Sequence, residues 1–166
     1  LGIGILFLMS VLSVGVYGIT LGGWASNNKY GLLGSLRASA QLISYELTLG
    51  LSILLVVMMS SSLDPQEIVL QQANNGWNII GQGNLWLVPS GLLGFLLLFV
   101  SALAENNRLP FDMAECEAEL VGGYHTEYSA MGFAVYMFGE YVAMTLSAAL
   151  IVTLYLGGWH LPFITD

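Results

Sequence analysis

The sequence predicts an all-α fold, a polytopic transmembrane helix bundle with four spans. Its 166 residues are 56% hydrophobic and only 8% charged, whereas a soluble domain carries about 25% charged residues. So few charges cannot cover a surface that faces water, which favours lipid as the surrounding solvent. A helix needs about 20 apolar residues to cross a bilayer. Four stretches reach that length, residues 2–24, 38–60, 85–104 and 131–156.

These stretches predict helices rather than strands. Unpaired backbone groups cost several kcal/mol each in lipid, so exposed strands are not stable there. The apolar residues also run continuously instead of alternating, which excludes a porin-type barrel. We expect the four spans and their connections to form one membrane domain, residues 1–166, and we interpret the chain as a fragment of a longer protein.

The basic residues predict the orientation of the spans. Lys29 and Arg37 flank the first connection, and Arg108 lies at the start of the third. The second connection, residues 61–84, has no Lys or Arg. Because Lys and Arg are enriched in connections on the cytoplasmic side, the first and third connections are expected on the cytoplasmic or matrix side, and the second on the opposite side.

The second connection contains a helix start signal. Asp64 is a good N-cap, Pro65 suits the first helical position, and Glu67 follows in the first turn. These residues predict a short helix over residues 65–73, lying along the membrane surface. The Gly and Asn residues of segment 74–84 predict an irregular loop.

Two glutamates lie inside predicted spans. Glu46 and Glu140 are each roughly two turns from a span end, and neither has a Lys or Arg at helical spacing. A carboxylate in hydrocarbon must be paired, hydrated or neutral. One interpretation is a protonated acid that packs two helices together through a hydrogen bond. The other, which we favour, is a proton relay, because ionisable groups within a membrane usually serve function.

The third connection, residues 105–130, is strongly acidic. Its only basic residue is Arg108, and apolar side chains such as Phe111 and Leu120 alternate with its acids. A solvated acidic loop is one interpretation; a semi-buried acidic funnel explains the apolar residues better. The acids of this connection are Glu105, Asp112, Glu115, Glu117, Glu119 and Glu127.

Several classes of site are excluded by composition. Cys116 is the only cysteine, so neither a disulfide within the chain nor a cysteine-based metal or iron–sulfur site can form. His125 and His160 lack the spacing of metal ligands, and we expect no metal site. Three basic residues in the whole chain give no reason to expect nucleic-acid binding.

Two long stretches resemble a known family. Residues 104–141 read AENNRLPFDMAECEAELVGGYHTEYSAMGFAVYMFGEY, and residues 23–50 read GWASNNKYGLLGSLRASAQLISYELTLG. Both resemble hallmark segments of the quinone-site membrane subunit of respiratory complex I, whose mitochondrial form is NADH dehydrogenase subunit 1. The resemblance covers essentially the whole chain and implies a middle fragment of a subunit with about eight helices. The homologous subunit of membrane-bound hydrogenases departs from the ELVGGYHTEYS pattern of residues 119–129.

The resemblance implies roles for particular residues. It implies that the third connection lines the inner end of a quinone chamber and that a line of carboxylates runs from there into the membrane. The implied chamber residues are Arg37, Arg108, Phe111 and Asp112. The implied proton path consists of Glu46, Glu105, Glu115, Glu117, Glu119, Glu127 and Glu140.

The resemblance also implies a function, that of a membrane subunit of proton-translocating NADH:quinone oxidoreductase. Ubiquinone or menaquinone would be the substrate, and the chain would bind no flavin or iron–sulfur cluster. Its partners would be the peripheral-arm and other membrane-arm subunits within a lipid bilayer. The expected location is the bacterial plasma membrane, with the mitochondrial inner membrane as the alternative.

Three rival functions remain open. They are a hydrogenase-type complex subunit, a stand-alone proton or cation transporter, and a structural anchor for a peripheral enzyme. The acidic connection discriminates against the last two, because a transporter needs no large loop of this kind and an anchor needs no buried acids.

Overall fold

The computed structural model describes residues 2–107, 111 and 130–160. In chain order the elements are α1 (Gly4–Ala25), α2 (Lys29–Ser60), α3 (Pro65–Asn75), a 3-10 helix (Asn78–Gly83), α4 (Val88–Glu105) and α5 (Ala130–Tyr155). The helices α1, α2, α4 and α5 are each long and apolar enough to cross a membrane. The prediction of an all-α protein with four spans is therefore confirmed.

The helix α2 is longer than the sequence predicted. It begins at Lys29 rather than at residue 38, so Arg37 lies within the helix and the first connection shrinks to residues 26–28. The start is stabilised by Asn28, whose side-chain oxygen accepts the backbone N–H of Tyr30 at 3.0 Å. Polar residues at this end lower the hydropathy of the sequence without preventing a helix, and for that reason the predicted boundary was wrong.

The second connection begins as predicted and then differs. Asp64 caps α3 by accepting the backbone N–H of Gln66 at 3.0 Å, with Pro65 in the first turn. The predicted irregular loop, however, contains the end of α3 and the 3-10 helix. In that segment Gly81 and Gln82 adopt positive φ angles of 66° and 52°. Whether α3 lies along the membrane surface stays a prediction.

Three of the long helices end on a residue in the left-handed region. Asn27, Ser61 and Asn107 follow α1, α2 and α4 with φ angles of 52°, 53° and 47°. A left-handed residue after a helix lets the backbone turn back and satisfy the last carbonyls. Asn tolerates this conformation because its short polar side chain bonds locally. At Asn27 this conformation makes the short reversal from α1 to α2 possible.

Contacts divide the chain into two compact units. Unit 1 comprises Leu1–Ser10, Thr48–Val100 and Thr145–Asp166; unit 2 comprises Val11–Leu47 and Ser101–Met144. The core of unit 1 includes Val56 of α2, Leu98 of α4 and Tyr155 of α5, each buried. The Tyr155 hydroxyl donates to the Ser52 carbonyl at 2.9 Å, which ties α5 to α2 inside this unit.

Two buried amides cap the end of α5 in unit 1. Gln72 donates to the Thr153 carbonyl at 2.9 Å, and its oxygen accepts the Gly157 N–H at 3.0 Å. Asn78 donates to the Leu154 carbonyl at 2.7 Å. The last carbonyls of a helix have no partner within the helix, and in a membrane protein they must be satisfied internally. The second connection supplies these partners.

In unit 2, α1 and α2 pack as an antiparallel pair. The hydroxyls of Thr20 and Ser39 are 2.7 Å apart. A Cβ atom added to Gly23 would lie 2.1 Å from the Ser35 side chain. Small residues at a helix interface allow this close approach, so glycine at position 23 sets how tightly the two helices join.

Candidate functional site

Residues of unit 2 line a half-open cavity of about 660 Å³. Residues of α1, α2, α4 and α5 contribute to its wall, together with the two residues that follow α4. The lining residues are Leu12, Gly15, Val16, Gly18, Ile19, Leu42, Glu46, Glu105, Asn106, Asn107, Gly132, Val135, Tyr136, Gly139, Glu140 and Ala143.

Three glutamates from three different helices line this cavity. Glu46 comes from α2, Glu105 is the last residue of α4, and Glu140 lies in α5. All three are half-buried, and Glu46 lies close enough to Glu105 for their charges to interact. Carboxylates that interact in one low-dielectric space titrate as a coupled group. The cavity therefore brings together protonatable groups from three helices.

A serine on α1 orients the first of these carboxylates. The Ser13 hydroxyl donates a hydrogen bond to Oε1 of Glu46. The antiparallel pairing of α1 with α2 places the two residues side by side, as it does Thr20 and Ser39. A hydrogen bond to a carboxylate stabilises one rotamer and one position of its charge. Ser13 thus restricts where the Glu46 carboxylate points.

The rest of the wall combines polar groups with open glycines. Asn106 and Tyr136 add an amide and a hydroxyl, and the Asn106 amide donates to the Ala102 carbonyl at 2.8 Å. A Cβ atom added to Gly18 or Gly139 would meet nothing within 4 Å. A cavity of this size with several polar groups is roomy enough for ordered water. Water between the glutamates would let protons pass among them without direct contact.

Gln41 holds the end of α4 beside the cavity. Its Nε2 atom is 3.0 Å from the Ala104 carbonyl and 2.7 Å from the Phe111 carbonyl. The ring of Phe111 packs edge-on against Tyr45, with ring centroids 5.2 Å apart. Ala104 directly precedes Glu105 in the chain, so α2 contacts the backbone that carries a cavity glutamate.

Comparison with known proteins identifies the family of the chain. The profile of a family described as NADH dehydrogenase matches residues 1–165. The chain belongs to the NADH dehydrogenase family. An NADH-quinone oxidoreductase subunit of Cytophaga hutchinsonii is 49% identical over 164 residues, covering 99% of the chain and 45% of that relative.

Further relatives of the NADH dehydrogenase family show similar identity. NADH-quinone oxidoreductase subunit 8 of Rhodothermus marinus is 49% identical over 161 residues, 97% of the chain and 46% of the relative. NADH-ubiquinone oxidoreductase chain 1 of Cyanidium caldarium is 50% identical over 163 residues, 98% of the chain and 44% of the relative. The chain spans about half the length of the curated relatives it matches.

The structure places some of the residues that the family resemblance singled out. Glu46, Glu105 and Glu140 of the implied proton path line one cavity. Arg37 is half-buried in α2, and neither it nor Phe111 is among the described residues that line the cavity. The remaining candidates lie outside the described residues; they are Arg108, Asp112, Glu115, Glu117, Glu119 and Glu127.

Two polar residues of this candidate site were not found by sequence reasoning. Ser13 and Gln41 carry no charge, whereas the sequence pattern singles out ionisable groups within the spans. The available signal was weak: a hydroxyl or amide within an apolar helix tends to bond across to a neighbouring helix. Ser occurs at many positions of the chain, so that signal does not single out Ser13.

Proposed function

We propose that this chain serves as part of the membrane subunit of a proton-translocating NADH:quinone oxidoreductase. Its role there is to couple the reduction of a quinone to proton movement through the cavity glutamates. The observation that carries the proposal is the convergence of Glu46, Glu105 and Glu140 from three helices on one cavity. Membership of the NADH dehydrogenase family and the names of the relatives support it.

The coupling between quinone reduction and proton movement follows from the change in charge that reduction causes. Reduction of a quinone to a quinol consumes two electrons and two protons, so electron arrival creates negative charge and a demand for protons. That charge shifts the proton affinity of nearby carboxylates, and a row of coupled carboxylates passes the shift along by moving protons or by electrostatic interaction. Glu46, Glu105 and Glu140 would form the part of this row within the membrane.

The acidic third connection is assigned the neighbouring part of the same path. We place the quinone chamber at this connection, with ubiquinone or menaquinone as the substrate and with electrons supplied by an iron–sulfur cluster of a partner subunit. The chain itself is assigned no flavin or iron–sulfur cluster. The proposed chamber residues are Arg37, Arg108, Phe111 and Asp112, and the proposed path residues here are Glu115, Glu117, Glu119 and Glu127.

The proposal also assigns partners and a location. The partners are the peripheral-arm subunits that complete the quinone chamber and the other subunits of the membrane arm. We assign the chain, a multi-pass membrane protein, to the bacterial plasma membrane, because the relatives include proteins of the bacteria Cytophaga, Flavobacterium and Geobacter. The relative named chain 1 supports the mitochondrial inner membrane as the alternative. The names of these relatives favour this class of complex over a hydrogenase-type one.

Purification from native membranes tests the function. The protein that contains this chain is tagged in its own organism, extracted in mild detergent and isolated. We expect a large assembly with flavin and iron–sulfur absorbance that reduces a quinone with NADH. A small assembly without these chromophores that moves protons or cations without NADH would overturn the proposal in favour of a stand-alone transporter. A hydrogen-oxidising assembly would favour the hydrogenase-type alternative.

A further inference from the structure

The contacts of Gln41 are unusual for a glutamine in a membrane-spanning helix. The side chain is 9% exposed. Its Nε2 atom faces three oxygen atoms, the Ala104 carbonyl at 3.0 Å, the Phe111 carbonyl at 2.7 Å and Oδ1 of Asn107 at 3.5 Å. An amide nitrogen has two N–H groups to donate, and here both have acceptors on the chain that leaves α4.

These contacts allow only one orientation of the amide. Turning the group over would place Oε1 against the carbonyl oxygens of Ala104 and Phe111, where it could accept nothing and would be repelled. In the observed orientation Oε1 has no hydrogen-bond partner among the described residues. A buried acceptor without a partner is unfavourable. The two bonds made by Nε2 outweigh that cost, so the contact with the carbonyls determines how this side chain sits.

The Ala104 carbonyl, which accepts one of the Gln41 bonds, lies where α4 ends. The Ala104 carbonyl belongs to the last turn, whose carbonyls lack partners within the helix. Asn107, in the left-handed conformation, contributes a long backbone bond to it at 3.3 Å. Gln41 completes the capping from α2 and also donates to the Phe111 carbonyl.

The backbone that Gln41 holds at Ala104 leads directly to a cavity glutamate. Glu105 directly follows Ala104, and Asn106 and Asn107 after it also line the cavity. Glu46 lies on the same helix as Gln41. The helix α2 therefore carries one glutamate itself and, through Gln41, restrains the backbone of the other.

We propose that Gln41 is a positioning residue that sets the placement of Glu105 relative to Glu46 for proton transfer across the cavity. This inference rests on the proposed function, in which the two glutamates belong to one path. Gln41 touches neither the quinone nor the transferred proton in this scheme. Its two donated bonds fix the end of α4, and that end fixes Glu105.

Substitution of Gln41 in the complete complex tests the inference. Gln41→Met keeps the length of the side chain and removes both donors. We expect quinone-linked turnover to fall by up to about a hundredfold, the order of loss that a misplacement of about 1 Å in a reacting group produces. We also expect fewer protons pumped per electron, a ratio that does not depend on how much active complex is present. NADH oxidation with an artificial acceptor reports the amount of assembled enzyme.

The matched control is Gln71→Met. Gln71 also donates from Nε2 to a backbone carbonyl, that of Ser60, at 2.9 Å, but it lies in unit 1 and does not line the cavity. Its substitution should leave protons per electron at the wild-type value. A drop in turnover for Gln41→Met with an unchanged ratio would overturn the positioning role in favour of a structural one, as would a normal result in both measurements.

Further variants keep the outcome decisive. If Gln41→Met does not assemble, Gln41→Asn retains a buried amide that is too short to reach both carbonyls, and the same loss of ratio is expected. Failure of both to assemble beside a normal Gln71→Met would overturn the inference. Glu105→Gln separates the two proposals. Normal pumping in Glu105→Gln would overturn the proposed path itself, whereas lost pumping there with normal pumping in the Gln41 variants would overturn only the positioning.

Discussion

The Ser13 hydroxyl on α1 donates a hydrogen bond to the Glu46 carboxylate on α2. Ser13→Ala removes this bond and leaves the carboxylate free to take other rotamers. A single hydrogen bond contributes about 1 kcal/mol, which corresponds to a roughly fivefold effect. We expect quinone-linked turnover of the assembled complex to fall by that order, measured against artificial-acceptor activity. Ser10→Ala is the control, because Ser10, one turn earlier, donates to the Phe7 carbonyl of its own helix and bonds to no other helix in the described part of the chain.

Glu140 distinguishes a proton relay from helix packing. Glutamine preserves the shape and hydrogen bonding of the side chain but cannot titrate, whereas aspartate titrates and is shorter by one methylene. We expect Glu140→Gln to reduce proton pumping and coupled turnover sharply and Glu140→Asp to retain more of both, measured in vesicles. The opposite order, with Gln the milder change, would show that shape matters and would reject the relay. Glu67→Gln, in the second connection, should be near neutral.

The open glycines of the cavity wall predict that the volume of the cavity affects coupled turnover. A Cβ atom at Gly139 would meet nothing within 4 Å, so Gly139→Leu adds a side chain to the wall without a steric clash at its base. We expect the leucine to displace water from the cavity and to slow coupled turnover while the complex assembles normally. Gly50→Leu is the matched control, since Gly50 is equally open but does not line the cavity. Equal turnover in the two variants would show that hydration of the cavity is not required.

The close approach of α1 and α2 at Gly23 predicts that substitution of this residue impairs assembly of the complex. Its added Cβ would lie 2.1 Å from Ser35 and 2.9 Å from the Gly31 carbonyl, so Gly23→Ala must push α1 and α2 apart. Overpacking of this kind costs about 1–3 kcal/mol. We expect less assembled complex on a native gel and a lower melting temperature in detergent. Gly50→Ala, where the methyl group meets open space, should change neither, and an unaltered Gly23→Ala would argue against the close α1–α2 contact.

The orientation of the connections is testable with cysteine labelling. Ala25 at the end of α1 and Ala73 in α3 are both exposed, and Cys116 is replaced by serine in both variants. With an impermeant thiol reagent, Ala25→Cys should label from the cytoplasmic or matrix side and Ala73→Cys from the other. Labelling of both from one side would reject the orientation that the basic residues predict.

The contacts that join distant segments at the site leave only an indirect signal in the sequence. The depth of Glu46 and Glu140 within their spans followed from hydropathy, and the structure brings both to one cavity. The partner of Glu46 did not follow, because Ser13 is 33 residues away and their meeting depends on a connection of only residues 26–28. Gln41 contacts segments 63 and 70 residues away through backbone carbonyls, and backbone carbonyls leave no trace in the identity of a residue.

A local feature was predicted correctly where its signal lies within one helical turn. The start of α3 was predicted correctly, since Asp64 and Pro65 act within one turn. The start of α2 was predicted wrongly, since hydropathy reports where lipid begins rather than where a helix begins. The helix extends from residue 38 back to Lys29 because backbone hydrogen bonds and the Asn28 cap stabilise it regardless of the solvent around it.

A ribosome delivers Gln72 and Asn78 to the membrane well before their partners exist. Thr153 and Gly157 follow Gln72 by 81 and 85 residues, and Leu154 follows Asn78 by 76. At about 5–20 residues per second this interval is roughly 4–16 s. During it, both amides need water, so the second connection must stay hydrated until α5 has been inserted. A nascent chain halted before α5 would leave both amides without the backbone groups that they bind in the folded chain.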